Sequence, residues 1–396
     1  MKQRTGQVRI IFKEADMKKS VIILALIVMV MMPVFANGGS DAESGDKVYK
    51  IGVIPKFIAE DYFIACRNGF QTAADELGNV QFDWIGDTMS QTSAANQKNY
   101  IQSFIDREYD AILVSALDPE SYASTLKEAM DMGIKVITWD ADVNKSSRDY
   151  FVNQGEFDAI GIAVFEGISG ELQADYSASN KATVALVSTT NDSPNQNAWL
   201  KAIIKEYESK MDSEYAHINL LKDDNEIVYA GNDQGTADEK VKALLSANSD
   251  IKGIVALSSN TVPAVSSARD QLGIEDEIKI VGISVPESSR ADMEAGKMSG
   301  VVLWQPFDLG YLTMYLAVDV LEGNAPTGST YKSPLSGKNM TTSFVDGSVV
   351  NYPSAGHKIL ADNEVILGPP IVWNLSNIDR FRGYPTDDHG MEYFLK

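Results

Sequence analysis

The chain has 396 residues, with 34 basic against 55 acidic side chains and a formal charge of −21. An acidic balance of this size excludes a nucleic-acid backbone as partner and suits small neutral molecules. With 44% hydrophobic residues the chain can bury substantial cores, and its length favours two domains over one.

The first informative segment begins at Met17. Lys18 and Lys19 form a positive region, Val21–Met32 an apolar run, and Val34-Phe35-Ala36 a small-x-small site. This pattern predicts a secretory signal peptide over 17–36, cleaved after Ala36. About 12 apolar residues fall short of the roughly 20 that span a bilayer. Residues 1–16 read as an upstream extension and 37–46 as a polar, disordered leader. Cys66 is the single cysteine, so no disulfide forms within the chain, and no cysteine directly follows Ala36 to carry a lipid.

From Val48 short apolar runs alternate with helical periodicities. Lys50–Pro55 (KIGVIP) reads as a strand. The next helix places Phe63, Cys66, Phe70, Ala74 and Leu77 on one face and stops at Gly78. VQFDWIG is a strand, Ala94, Ile101, Phe104 and Ile105 mark a helix, and Asp110–Leu117 is a continuous apolar run of the doubly buried kind. A helix opens at Pro119 and stops at Gly133, and KVITWD is the fourth strand. A second series holds helix 158–176, strand Ala182–Ser188, a helix from Asn195, strand HINLLK and helix 238–247. Strand Gly253–Ser258, helix 262–272 and strand Lys279–Ser284 follow. The last unit is helix 288–295, strand Val301–Gln305 and helix 309–321, and the stretch 325–381 wraps back with short strand-like pieces. Alternation at this spacing predicts an α/β fold of two doubly wound parallel-sheet lobes.

Ligands of doubly wound sheets bind beyond the carboxyl ends of the strands. The residues found there are Lys56 and Phe57 after strand one, and Trp139, Asp140 and Asp142 after strand four. In the second series they are Asn195 and Gln196, then Ser259 and Asn260, then Trp304 with Asp308 beyond it. Carboxylates and amides each serve two hydroxyls, and flat apolar faces cover a ring's C–H surface. The set therefore fits a small polyhydroxylated molecule. Each residue also has a plainer reading. Lys56 is a solvated lysine, Asp140 a helix cap, Trp139 and Trp304 core packing, Asn195 a helix start. Glycine-rich phosphate cradles of the G-x-G-x-x-G and G-x-x-x-x-G-K-[ST] types do not occur at these turns. His217, His357 and His389 are scattered and outside metal-ligand spacings, and G-x-S-x-G is missing. No cofactor, metal or catalytic residue is expected.

IGVIPK, DAILVSALDPE, GIKVITWDAD, NQNAW, GISVPE, LWQPFDLGYLTMYLAVDVL and GPPIVWNLSNID together resemble the periplasmic solute-binding proteins of ABC sugar importers. The likeness is to the subgroup of autoinducer-2-binding and rhamnose-binding proteins and runs from about Lys47 to Phe381. It implies the type I fold, two lobes joined by three crossover strands. These are expected near 142–145, 284–287 and 322–326, with lobe one at 47–142 plus 287–322 and lobe two at 146–284 plus 327–396. In the autoinducer-2 receptors the ligand is held by the lysine of IPK, the first aspartate of TWD-x-D, an Asp-Gln pair, and a proline and an alanine. Those positions fall here on Lys56, Asp140, Asn195-Gln196, Leu257 and Ser259, three of them changed in type. The resemblance thus implies capture of a rhamnose-like monosaccharide by a monomer and delivery to a membrane permease. Autoinducer-2 is the alternative ligand. A membrane sensor is the alternative partner, and a secreted enzyme or a cytoplasmic regulator with these lobes are the rival classes.

Overall fold

In the computed structural model residues 47–333 and 356–381 are described, so the expectations for residues 1–46 lie outside them. The first series folds as β1 (Tyr49–Ile54), α1 (Asp61–Leu77), β2 (Val80–Trp84), α2 (Ala94–Asp106), β3 (Ala111–Val114), α3 (Ala123–Asp131), β4 (Lys135–Trp139) and β5 (Tyr150–Asn153). Helix α1 ends where Gly78 turns left-handed, φ 74°, and returns its N–H to the Ala74 carbonyl. Helix α3 starts four residues later than the Pro119 expectation, because Asp118 binds the N–H groups of Glu120 and Ser121 and holds that segment as a turn.

The second series comprises α4 (Phe157–Leu172), β6 (Ala182–Ser188), α5 (Pro194–Lys210), β7 (Ile218–Leu220), β8 (Val228–Tyr229), α6 (Gln234–Ala247), β9 (Ile251–Ala256), α7 (Thr261–Leu272) and β10 (Lys279–Gly282). There follow α8 (Arg290–Glu294), β11 (Val301–Leu303), α9 (Pro306–Leu321), β12 (Thr330–Tyr331), β13 (His357–Leu360), β14 (Glu364–Ile366) and β15 (Ile371–Trp373).

While β11 and β15 form a separate antiparallel pair, two large sheets organise most of these elements. One runs β12-β13-β14-β5-β4-β3-β1-β2, parallel from β14 to β2, and the other runs β10-β9-β6-β7 with β8 also on β6. In the first sheet alternate residues face opposite layers. Ile112, Val114 and Val136 meet Ile101, Phe104 and Leu126 of α2 and α3. Ile51, Val53, Ile137 and Trp139 face Phe63, Cys66 and Phe70 of α1, which packs against α9. Those two helices approach closely because Gly69 and Gly310 lie at the crossing. A Cβ on Gly69 would come within 1.9 Å of the Phe307 carbonyl oxygen, and one on Gly310 within 2.0 Å of that of Cys66. Helices α4 and α5 cover one face of the second sheet, while α6 packs on α7.

The sheets divide the chain differently from the expected boundaries. Strand β5, in the expected second lobe, pairs with β4, so the chain leaves the first sheet after Asn153 rather than at 142–145. Strands β12 to β14, also expected in lobe two, extend the first sheet through β14 and β5. Residues 287–303, expected in lobe one, stay with the second. The guanidinium of Arg269 binds the Lys297 carbonyl, and Ile283 bridges to Val302 of β11. The passages between sheets therefore lie between β5 and α4, between β11 and α9, and between β14 and β15. The register explains this: a segment joins the sheet whose open edge it can pair with, and 322–326 only follows α9, which lies on the first sheet.

Candidate ligand-binding site

The carboxyl ends of β1, β4, β6 and β9 converge on a cavity of about 530 Å³ between the sheets. Of the eleven residues named from sequence, Asp308 lies outside the lining, and Lys56, Phe57, Asp140, Asn195, Gln196, Ser259, Asn260 and Trp304 line it. Trp139 does not. The alternation of β4 turns its indole to the helix face, where it is fully buried against Phe63, Phe70 and Trp84. Trp139 is core, and Asp140, one residue on, is lining. Asp142 is likewise not a lining residue, since its carboxylate is clamped by Arg148 at 2.6 and 2.8 Å.

Asp140 occupies an unusual backbone position. The Ala141 N–H binds the Trp139 carbonyl at 2.6 Å, which closes a three-residue turn with Asp140 at its centre and φ 62°. Positive φ in such a turn is strained for a residue with a side chain and persists where the surroundings hold it. They do so here. Tyr62 Oη donates to Oδ1 at 2.9 Å, Ser115 Oγ to Oδ2 at 2.8 Å, and Lys56 Nζ lies 3.2 Å from Oδ2. A carboxylate offers about four acceptor positions, so one remains for a ligand. Asp140 is therefore an organiser of Lys56 and Tyr62 that keeps one acceptor position unfilled beside the cavity.

Support for this arrangement comes from two directions. Trp304 Nε1 donates to Tyr62 Oη at 2.9 Å, with the rings edge to face, so a chain of two hydrogen bonds runs from Trp304 to Asp140. Beneath the loops, Gln97 Nε2 donates to the carbonyls of Pro55 and Ser115 at 3.0 and 2.9 Å. Its Oε1 accepts from the Leu117 N–H and the Tyr122 hydroxyl. One buried amide thus ties the loop carrying Lys56 to the strand end carrying Ser115.

The second sheet contributes α5 and the turn after β9. Asn195 Nδ2 donates to the Asp140 backbone carbonyl at 2.9 Å across the cavity, while Asn195 Oδ1 and Gln196 Oε1 are buried acceptors with no protein partner. Asn260 lines the cavity, but its amide is spent on the Gly231 carbonyl and Ser258 Oγ, so it shapes the loop. Ser259 hydrogen-bonds Glu60, a second tie between the two sides.

Glu60, Tyr62, Phe63 and Trp199 also line the cavity and are additional to the sequence-derived set. Burial pushes the Glu60 carboxyl up to about 7, opposed by the Ser259 hydrogen bond and Lys56 and reinforced by the charges of Asp140 and Asp61. Burial likewise drives the Tyr62 hydroxyl and the Cys66 thiol behind it well above their usual ranges, with the Asp140 charge adding to both. Two signals were available in the sequence. Glu60 belongs to the loop that follows β1, and Trp199 lies one helical turn beyond Asn195 and Gln196, on the same face.

A sheet pair with a polar, aromatic-lined cleft at the strand ends is the arrangement of a binding protein that closes on a small molecule. Residues 51–325 match the family described as periplasmic binding protein domain, and the chain belongs to that family. It is 26% identical over 125 residues to the ABC transporter periplasmic-binding protein YphF of Escherichia coli strain K12, an alignment covering 32% of this chain and 37% of that protein. Two solved structures share the fold. LsrB from Clostridium saccharobutylicum, in complex with AI-2, superposes with a TM-score of 0.71 at 23% identity, over 84% of this chain and 99% of that one. An ABC transporter solute binding protein from Clostridium phytofermentas with bound L-rhamnose gives 0.69 at 23% identity, over 85% and 98%. No described helix is long and apolar enough to cross a membrane.

Proposed function

We propose that the protein captures a small sugar in the periplasm, a rhamnose-like monosaccharide in the first instance, and delivers it to the permease of an ABC importer. The observation that carries this reading is the pair of buried, unpartnered acceptors on α5, Asn195 Oδ1 and Gln196 Oε1, facing the Lys56–Asp140 pair across a cavity walled by Phe57, Phe63, Trp199 and Trp304. Unpaired buried acceptors cost free energy, and hydroxyl donors of a sugar would satisfy them. Aromatic faces would cover its apolar side. The two structural neighbours that hold L-rhamnose and AI-2 support the same ligand size.

The mechanism is closure about the three passages between the sheets. Asn195 to the Asp140 carbonyl and Ser259 to Glu60 are bonds that open when the sheets part. A ligand touching both sides stabilises the closed form by its differential affinity for it. The role is non-catalytic and the working unit a monomer. Retention of the lysine, the first aspartate and the glutamine of the autoinducer-2 pattern favours that ligand as the second reading. A thermal-shift screen of monosaccharides and autoinducer-2, followed by calorimetry, tests both. A saturable stabilisation by L-rhamnose or a close relative supports the first, and silence across the whole panel overturns both.

A further inference from the structure

Among the described residues the charged lining of the cavity is one cation, Lys56, against four carboxylates, Glu60, Asp61, Asp140 and Asp233. Lys56 is committed to Asp140 at 3.2 Å. No second lysine or arginine of the lining is left to meet an anion. The unpartnered buried side-chain atoms of the lining point the same way. Asn195 Oδ1 and Gln196 Oε1 are acceptors, against one donor, Trp199 Nε1, and Asn195 itself is 3% exposed.

Resting on the sugar-binding reading, we propose that Glu60 makes this cavity selective for donor-rich sugars without negative charge, rejecting sugar acids and phosphorylated sugars. Glu60 sits where the two sides meet, on the lead-in to α1 and hydrogen-bonded to Ser259 beyond β9, so any ligand that closes the cleft is held beside it. A ligand carboxylate there would add a like charge next to Glu60 and Asp140 in a partly dry site, where screening by water is weak. An ammonium or hydroxyl would instead find acceptors. The Glu60 proton already reports this field. Its carboxyl is held up by burial and by Asp140 and Asp61. The groups facing it are Lys56 on its own loop, Asp61, Asp140 at the end of β4, Ser259, and Cys66 of α1, whose thiol is also raised. A carboxyl titrating near 7 is about one-tenth ionised at pH 6 and about nine-tenths at pH 8, so rejection of an anion should strengthen about tenfold over that interval.

Calorimetry at pH 6 and pH 8 tests this with L-rhamnose, D-mannose and D-galactose, the acids D-mannuronate and D-galacturonate, and the amine D-galactosamine, on the full chain and Glu60→Gln. At pH 8 a neutral sugar that binds should exceed its uronate by at least about thirtyfold, and that ratio should fall about tenfold at pH 6. Glu60→Gln should narrow the ratio at pH 8 and abolish its pH dependence. A uronate binding as tightly as its neutral partner, or a ratio that Glu60→Gln leaves unmoved, overturns the proposal. A second readout is independent of ligand: the carboxyl ¹³C resonance of Glu60, assigned by its loss in Glu60→Gln. A titration midpoint near 7 with no sugar bound by either protein would remove the sugar reading and support the negative field. A midpoint in the ordinary carboxylate range together with a uronate ratio that Glu60→Gln leaves unchanged overturns the inference.

Discussion

Replacing Asp140 separates three contributions that meet at one residue. Asp140→Ala removes the acceptor for Tyr62 and Ser115 and leaves the Lys56 ammonium, its side chain 13% exposed, without its counter-charge. Stripping one partner from a buried ion pair costs about 3–5 kcal/mol, because the other charge stays buried and unpaired. Alanine also keeps the strain of φ 62°, whereas glycine adopts that region freely. Asp140→Gly should therefore be more stable than Asp140→Ala by about 1 kcal/mol, the left-handed penalty less the extra chain entropy of glycine. Asp140→Asn, which tolerates the backbone and retains an acceptor, should lie closest to wild type. Urea unfolding followed by tryptophan fluorescence reads all three. Loss of less than about 1 kcal/mol in Asp140→Ala, or Asp140→Ala at least as stable as Asp140→Gly, would refute the account of Asp140 as an internally paired organiser.

Asn195→Ala should weaken sugar affinity about three- to tenfold, the scale of one lost hydrogen bond, and shift the free protein toward a larger radius of gyration in X-ray scattering. Trp139→Phe should lower unfolding free energy by about 1–3 kcal/mol while sugar affinity in calorimetry stays at the wild-type value, since that indole is core and not lining. Gln97→Leu should cost about 2–3 kcal/mol in urea unfolding and weaken binding without touching the ligand, because the Pro55 and Ser115 carbonyls and the Tyr122 hydroxyl lose the Gln97 amide, while the Leu117 N–H keeps only Tyr122 Oη. Burial lowers His357 from 6.5 to about 4. The neutral ring is the folded form, so its stabilisation is complete above pH 6.5 and lost as pH falls toward 4. About 3 kcal/mol should disappear across that window, and a His357→Gln protein should show a flatter profile in pH-dependent urea unfolding.

Most of the alternation of strands and helices was legible because buried parallel strands are written as unbroken apolar runs and their helices carry clear apolar faces. What escaped was non-local. YFVN of β5 is four residues long, and nothing within it says that its partner is β4 rather than a strand of the second lobe. The same holds for β14, whose neighbour β5 is more than 200 residues away in sequence. Reading site residues from strand ends put eight of eleven on the cavity lining, since a parallel sheet exposes the same edge of every strand to the cleft. It failed at Trp139 because a residue still inside the strand obeys the two-residue alternation, and Ile137 already assigned that face to the helices.

The turn at Asp140 explains how adjacent residues can belong to the core and to the cleft. A strand continuing regularly past Trp139 would put the next side chain on the face covered by α2 and α3, where Val136 and Leu126 pack. The three-residue turn instead redirects Asp140 toward the cavity while its backbone carbonyl meets Asn195 from the other sheet. Strain is thus concentrated at the point where both sides of the cleft make contact. Tyr62, Ser115 and Lys56 hold the carboxylate from within one sheet, so the site's charge pair is set before a ligand arrives. Trp304, on the passage from β11 to α9, reaches the same carboxylate through Tyr62. Any rotation about that passage must move the indole relative to Tyr62. In the proposed closure, opening of the cleft and loosening of the Lys56–Asp140 pair would be coupled through one hydroxyl, and Tyr62→Phe should uncouple them. In that variant the indole fluorescence of the free protein should no longer report sugar addition in proportion to the affinity measured by calorimetry. Proportionality retained to within experimental error would show that the signal travels by another route.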